Sequence, residues 1–116
     1  MSKSAQDFLS EANSVVPSIA VGEALSLINS GKAVVIDVRD GKEIDQSGTV
    51  KNALRIPRGM IEFVADPTSS FYNDQISNDK EILVICGAGG MAALTGKTLM
   101  EMGYTNVHNI GGFSAW

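Results

Sequence analysis

One stretch of the sequence constrains the fold more than any other: "EILVICGAGGMAALTG", which runs from Glu81 to Gly96. It starts as an unbroken apolar run, which is typical of a strand that is buried on both faces. The run ends at Cys86, the only cysteine of the chain, and a glycine-rich loop and an apparent helix follow. A strand, a tight loop and a helix in this order predict one unit of an α/β fold.

The glycine-rich loop has two interpretations. Counted from Gly87 it spells G-x-G-x-x-A, which is close to the motif that holds a dinucleotide pyrophosphate. Such folds need an acidic residue about 20 positions later to bind the ribose. The corresponding region here is "NVHNI", and too few residues follow the loop to supply the remaining strands. The rest of the chain therefore disfavours a nucleotide site.

Counted from Cys86, the same residues form the setting of a reactive thiol. Small residues let successive backbone N–H groups turn inward, and the positive end of the following helix points at the same place. Such surroundings stabilise a thiolate, which is the nucleophilic form of cysteine. Cysteine also serves as a small buried hydrophobic residue. The position of Cys86 at the end of a strand, facing the rim of the sheet, favours the reactive role.

The composition narrows the class of protein. A chain of 116 residues, 44% of them hydrophobic, has the size and the core of one domain. Its 13 acidic and 9 basic residues disfavour a surface built to bind nucleic acid or an anionic membrane. We predict neither a signal peptide nor a membrane span. Because one cysteine cannot make an internal disulfide or a cysteine-built zinc site, we predict a cytoplasmic protein without metal or cofactor.

The hydrophobic pattern predicts alternating helices and strands. Residues 1–17 are predicted to be a loosely docked lead-in, and residues 18–116 to form the domain. The segments predicted as helices are "VGEALSLINSG", "RGMIEFVADP" and the residues after the cysteine loop. The segments predicted as strands are "AVVIDVRD", "ALRIP", "EILVIC" and "NVHNI". This order predicts an α/β domain with a parallel sheet that is covered by helices on both faces.

Polar or reactive side chains follow three of the predicted strands. Asp37 and Arg39 end the first, Arg58 comes just after the second, and Cys86 ends the third. Ligand sites of parallel sheets lie beyond the carboxyl ends of the strands. We therefore expect these four residues to meet at one rim.

Taken together, these motifs resemble a single-domain rhodanese, a sulfurtransferase module, over nearly all of residues 18–116. "VVIDVRDGKEIDQSGTVKNALRIP" is similar to the family's first signature, an aspartate-containing strand and a glycine-histidine-isoleucine-proline-glycine-alanine turn. "RGMIEFVADP" is similar to a stretch found in one branch of the family. "CGAGGMAALTGKTLMEMGYTNVHNIGGFSAW" resembles the active-site loop, its helix and the closing segment.

The resemblance implies a mainly parallel sheet of about five strands and a covalent mechanism. Cys86 is expected to accept a sulfane sulfur from thiosulfate or a persulfide, and cyanide or a thiol then removes it. Small molecules are the expected donors and acceptors, a protein donor or acceptor is a further option, and nucleic acid and membrane are not expected partners. The anionic sulfur is expected to be held by the residues of the loop: Gly87, Ala88, Gly89, Gly90, Met91 and Ala92.

The chain departs from the family pattern at four positions. Met91 stands where the family commonly has arginine, and Thr49 stands where the turn usually has histidine. Lys51 and Asn52 replace the proline and glycine of that turn, which concerns its backbone more than the chemistry. An arginine at position 91 would hold an anionic donor by a charge-assisted hydrogen bond. Losing such a bond costs about 1.5–3 kcal/mol, so we expect weak transfer from thiosulfate.

Other side chains are candidates for compensating roles. Arg58 is the first candidate for a replacement cation, because the resemblance places its loop beside the active site. Arg39 is better suited to a structural ion pair, and Lys97 to a solvated helix face. Asp37 is expected to hydrogen-bond loop backbone instead of acting as an acid. His108 is expected to be an ordinary strand or surface residue.

Met91 itself has two interpretations, and the function has alternatives. Met91 either faces solvent or fills a gap at the helix start, or it forms an apolar lip for a persulfide donor together with Met60 and Phe63. A rhodanese-like module that has lost efficient catalysis and serves as a binding or regulatory domain is the main alternative. A cysteine phosphatase or arsenate reductase is disfavoured, because the loop from Cys86 to position 91 is short and lacks an arginine.

Overall fold

The computed structural model describes residues 2–116, and it contains one parallel sheet. Its strands lie in the order β2-β1-β3-β4 and all neighbours run parallel. The strands are β1 (Ala33–Asp37), β2 (Leu54–Arg55), β3 (Glu81–Cys86) and β4 (Val107–Gly112). The predicted α/β class with a parallel sheet is confirmed.

The expectation of about five strands is corrected to four among the described residues. Where a further strand could lie beside β4, the described residues form only a single bridge, between Ser18 and Asn109. There the Asn109 N–H donates to the Pro17 carbonyl, and the Ile19 N–H donates to the Asn109 carbonyl. Proline has no N–H to extend such a ladder, and a helix begins at Val21, so the pairing stops after one residue.

Five α-helices accompany the sheet in the part of the chain that the structure describes. They are α1 (Ala5–Val15), α2 (Val21–Asn29), α3 (Gly41–Ser47), α4 (Ile61–Val64) and α5 (Gly90–Glu101). Short 3-10 turns cover Arg58–Met60 and Phe113–Ala115. None of these helices is long and apolar enough to cross a membrane, as far as residues 2–116 are concerned.

Side chains on the two faces of the sheet form two cores. One contains Ile36 and Val84 with Ala92 and Leu99 of α5, and the other contains Val35. The alternation of neighbouring β1 residues between the two cores is the period of two expected for a strand covered on both faces.

The lead-in predicted for residues 1–17 contains the helix α1, which we did not predict although Ala5, Phe8, Leu9 and Ala12 have helical spacing. Its start is fixed by a capping box, in which Ser4 and Asp7 each accept a hydrogen bond from the other's backbone N–H. Ala12 is fully buried, and Val16 lies so close to Gly96 of α5 that an added Cβ there would be 2.8 Å from Val16 Cγ1. The helix is therefore packed against α5, and the expectation of loose docking is wrong for residues 5–16.

Candidate active site

Cys86 lies at the carboxyl end of the central strand β3, and only 1% of the residue is exposed. Its sulfur accepts two backbone hydrogen bonds, from the N–H of Gly89 at 2.9 Å and from the N–H of Ala92 at 3.4 Å. Gly89 is the N-cap of α5, so the start of that helix also points at the sulfur. The arrangement places several partial positive charges around one thiol.

The loop has further N–H groups that no acceptor in residues 2–116 takes. These belong to Ala88, Gly90 and Met91, and the last two lie in the first turn of α5, where helical N–H groups have no partner in the helix. Ala88 is exposed and Gly87, Gly89 and Gly90 are partly exposed. The cysteine loop (Cys86–Ala92) therefore forms a cradle of backbone donors with capacity for a second anionic atom.

The shape of the cradle depends on a left-handed residue and on close backbone packing. Gly89 has φ +101°, a conformation that favours glycine. A Cβ on Gly112 would lie 2.8 Å from the carbonyl carbon of Gly87 and 2.9 Å from Ala88 Cα, and closer still to the Gly87 carbonyl oxygen. The end of β4 thus presses directly on the loop.

Asn109 of β4 completes this support. Its Nδ2 donates to the Gly89 carbonyl at 3.1 Å, and its Oδ1 accepts from the Gly111 N–H at 2.7 Å. The residue is buried. Sequence reasoning missed Asn109 and Gly112 as supporting residues; the only local signal was the segment "NIGG", whose relation to the loop depends on strand pairing.

Asp37 and Arg39 form a buried ion pair beside the site. Arg39 Nη2 donates to Asp37 Oδ2 at 2.8 Å, and Thr49 Oγ1 donates to the same oxygen at 2.6 Å. Arg39 also donates to Ser47 Oγ and to the Gly48 carbonyl. Asp37 also accepts a hydrogen bond from the backbone N–H of Arg39 at 3.1 Å, and it anchors the turn at residues 47–49. Its described hydrogen bonds do not reach the cysteine loop.

This pairing has a definite effect on both charges. Burial by itself raises the pKa of Asp37, but hydrogen bonds from the Arg39 side chain, Thr49 and the Arg39 backbone, with the Arg39 charge, outweigh it and hold the pKa below its ordinary value. The hydrogen bond to Asp37 raises the pKa of Arg39. The guanidinium also lies 4.6 Å from the Phe113 ring centroid, which ties the closing segment to the turn.

The candidate replacement cations are already engaged. Arg58 donates to Glu62 at 3.2 Å and to Thr98 Oγ1 at 3.0 Å, and Lys97 pairs with Glu101 at 2.7 Å. Among the residues that the structure describes, neither donates to the cysteine loop.

The charged side chain that does approach the loop is acidic. Glu43 Oε2 lies 3.5 Å from the position that a Cβ on Gly87 would occupy, and 3.6 Å from Arg39 Nη1. Sequence reasoning did not single out Glu43, because nothing in the local pattern indicates that α3 reaches the loop.

Met91 is 39% exposed at the start of α5. It lines a groove with Phe8, Leu9 and Leu94, and the predicted lip with Met60 and Phe63 is not formed. Met60 packs against the first core and Phe63 packs edge-on against Phe71. The apolar neighbours of Met91 come instead from α1 and from α5 itself.

His108 is a partly buried residue of β4 whose Nε2 lies 3.1 Å from Glu81 Oε2, at the start of β3. Cys86 lies at the opposite end of that strand. No group of three or more potential metal ligands occurs within residues 2–116.

These features define a class of protein: a parallel α/β domain in which a cysteine at a strand end lies in a cradle of backbone N–H groups. The sequence model described as the Rhodanese-like domain matches residues 20–116. The chain belongs to the rhodanese-like domain family.

Relatives whose names state an activity are 26–34% identical to this chain. Thiosulfate sulfurtransferase GlpE of Actinobacillus pleuropneumoniae is 26% identical over 99 residues, which cover 84% of this chain and 83% of that protein. The human thiosulfate:glutathione sulfurtransferase is 26% identical over 102 residues, covering 83% and 88%. Adenylyltransferase and sulfurtransferase UBA4 of Candida albicans is 34% identical over 89 residues; the match covers 76% of this chain but only 20% of that longer protein.

Solved structures share the fold. A Rhodopseudomonas palustris protein of unknown function, described as a possible tyrosine phosphatase, is 34% identical with a TM-score of 0.91, and the match covers 100% of this chain and 90% of that one. The human single-domain sulfurtransferase TSTD1 is 26% identical with a TM-score of 0.71, covering 84% and 90%. Sulfur transfer is thus an activity of relatives that have about the length of this chain.

Proposed function

We propose that this protein is a sulfurtransferase that moves a sulfane sulfur from a donor to a thiophilic acceptor through a persulfide on Cys86. The observation that supports this most is the pair of hydrogen bonds that the N–H groups of Gly89 and Ala92 donate to the sulfur. Hydrogen bonds to a charged acceptor are stronger than those to a neutral one, so these N–H groups are suited to an anionic sulfur. Sulfurtransferases among the relatives agree with this chemistry.

The proposed reaction has two steps. With thiosulfate, the Cys86 thiolate attacks the outer sulfur, a sulfur–sulfur bond forms to Sγ, and sulfite leaves with the electron pair of the broken bond. Cyanide or a thiolate then attacks the terminal sulfur of the persulfide. The bond between Sγ and the terminal sulfur breaks, its electron pair returns to Sγ, and thiocyanate or a new persulfide leaves.

The cradle is suited to the intermediate. A persulfide carries its negative charge on the terminal sulfur, one bond beyond Sγ. The N–H groups of Ala88, Gly90 and Met91 have no acceptor among the described residues and are available for that charge. Because these donors belong to the backbone, they do not depend on the side chain at position 91.

A binding or regulatory module is the alternative that the charges around the loop favour. Met91 brings no charge to the loop, Glu43 lies beside Gly87, and Arg58 is engaged with Glu62. An anionic donor therefore meets a carboxylate and no described free cation at the loop, which weakens its binding. The same argument disfavours phosphatase chemistry, because a phosphate dianion, like thiosulfate, needs cationic groups to neutralise its charge.

Loading of the cysteine tests the proposal. The purified protein is incubated with thiosulfate, and separately with glutathione persulfide, and its intact mass is measured. We expect one added sulfur atom that cyanide removes and that Cys86→Ser prevents. If neither donor loads Cys86, the sulfurtransferase proposal fails and the binding module remains. Hydrolysis of p-nitrophenyl phosphate that depends on Cys86 would instead indicate a phosphatase.

We further propose a cytoplasmic location and small-molecule partners. A single free cysteine that cycles between thiolate and persulfide fits a reducing compartment. A thiol is the proposed acceptor there, and a protein donor or acceptor remains compatible with the exposed loop residue Ala88.

A further inference from the structure

A groove of about 610 Å³ starts at the cysteine loop and runs along α5. One wall comes from α1 and the other from α5. Its apolar lining is contributed by Ala5, Phe8, Leu9, Met91 and Leu94. Phe8 is 48% exposed although it is a large aromatic residue. The volume is far larger than a small inorganic anion needs.

Three charged side chains, Arg58, Lys97 and Glu101, also line this groove. Arg58 pairs with Glu62 at 3.2 Å, and Lys97 pairs with Glu101 at 2.7 Å. Both cations are therefore paired, and the apolar side chains of α1 and α5 supply the contact surface for an uncharged ligand group.

The groove and the cradle are continuous. Gly90 and Met91 line the groove, and their backbone N–H groups belong to the cradle beside Cys86. Glu43 instead approaches Gly87, at the start of the loop. A ligand with its anionic sulfur in the cradle can therefore extend an apolar group toward Phe8 and away from the carboxylate.

From this geometry, and resting on the proposed function, we propose that the α1–α5 groove selects organic sulfane-sulfur donors that carry an aryl or branched alkyl group. The substituent packs against Phe8, Leu9, Met91 and Leu94 while the sulfane sulfur reaches Cys86. Preference for such donors over thiosulfate is then a property of α1, which lies before the residues that the family model matches.

Thiosulfonates, R–SO₂–S⁻, test this because only R changes. The Cys86 thiolate attacks the outer sulfur, the new sulfur–sulfur bond forms, and the bond to the sulfonyl sulfur breaks. Its electron pair leaves with the sulfinate R–SO₂⁻, so each turnover produces one persulfide and one sulfinate. Benzenethiosulfonate and methanethiosulfonate differ in apolar size but have the same charge.

The experiment compares loading by the two donors in wild type, in Phe8→Ala and in a matched control, Phe71→Ala, whose exposed ring lies outside the groove. We expect Phe8→Ala to lower kcat/KM for benzenethiosulfonate about 5-fold, as for the loss of roughly 40 Å² of apolar contact. The value for methanethiosulfonate should not change, and Phe71→Ala should change neither. Because each donor is compared with itself, the different leaving abilities of the two sulfinates cancel.

Two outcomes separate the hypotheses. Loading of Cys86 by both donors with no selective effect of Phe8→Ala overturns the groove proposal and leaves the sulfurtransferase standing. Absence of loading by every donor overturns both.

Binding without chemistry provides an independent readout. In the Cys86→Ser protein with labelled methionine methyl groups, benzenesulfinate should shift the Met91 methyl signal, identified by Met91→Leu, more than methanesulfinate does. Equal or absent shifts for the two sulfinates would contradict a ligand group in the groove.

Discussion

Gly112→Ala is predicted to damage the cysteine loop without changing any residue of it. Gly112 has φ −95°, which alanine adopts readily, so the substitution introduces no backbone strain. The new Cβ, however, would lie 2.8 Å from the Gly87 carbonyl carbon and 2.9 Å from Ala88 Cα. Both neighbours are backbone atoms, and the Gly87 carbonyl oxygen is closer still, so the loop or the end of β4 must retreat by roughly 1 Å.

The magnitude follows from two opposing effects. Overpacking of this kind costs about 1–3 kcal/mol, and replacing glycine by alanine regains about 0.4–1 kcal/mol through the unfolded chain. We therefore expect the free energy of unfolding to fall by about 1–2 kcal/mol. Displacing the loop also lengthens the hydrogen bond from Gly89 to Cys86, and losing it altogether would slow sulfur loading about 10- to 150-fold.

Urea unfolding and the rate of persulfide formation measure the two effects separately. Gly22→Ala is the matched control, because an added Cβ on this α2 residue has no neighbour within 4 Å. It should leave loading unchanged and stabilise the protein by up to about 1 kcal/mol. If Gly112→Ala unfolds and loads like wild type, the close contact with Gly87 does not set the position of the loop, and the description of the cradle is wrong.

Three further predictions concern charged groups, two at the cysteine loop and one at the buried Asp37–Arg39 pair. Met91→Arg should raise the rate of loading from thiosulfate about 10-fold or more, measured by intact mass, while an unchanged rate would mean that another cation already binds the donor. Glu43→Gln should raise the thiosulfate rate a few-fold at low salt, and an equal gain at high salt would exclude an electrostatic cause. Thr49→Val removes a hydrogen bond to ionised Asp37 and should lower the free energy of unfolding by about 1.5–3 kcal/mol at pH 7, with Thr49→Ser restoring it. The pKa of folded Asp37 is lowered, so ionised Asp37 contributes fully to the free energy of unfolding above its ordinary pKa of 3.8. This contribution is lost as the pH falls through the pKa of the folded state. The difference in the free energy of unfolding between Thr49→Val and wild type should therefore narrow in acid.

The sequence was sufficient for the parts of the site that are local in the chain. The strand that ends in Cys86, the glycine loop and the start of α5 are consecutive, and hydrophobic pattern, glycine content and helix position all indicate them. The left-handed conformation of Gly89 is likewise a local property that only glycine adopts without cost.

The parts that escaped prediction depend on contacts between distant segments. Asn109 and Gly112 reach the loop because β4 pairs with β3, and Glu43 reaches Gly87 because α3 begins just after β1. The helix α1 was accessible from the sequence, since Ala5, Phe8, Leu9 and Ala12 have helical spacing, but its packing partner, Gly96 of α5, was not. Intrinsic propensities give no access to such packing, since tertiary context overrides them.

In the proposed reaction, backbone groups and side chains have different tasks. Holding a thiolate or persulfide is a task of backbone N–H groups, which a change of side chain at position 91 leaves in place. Attracting a particular donor is a task of side chains, and here these are Met91, Glu43 and the α1–α5 groove. If the proposed function holds, methionine at position 91 therefore affects which donor is used more than whether Cys86 can accept sulfur. It follows that a low rate with thiosulfate alone does not distinguish an inactive module from a sulfurtransferase with an apolar donor, whereas comparing donors of equal charge and different substituent does.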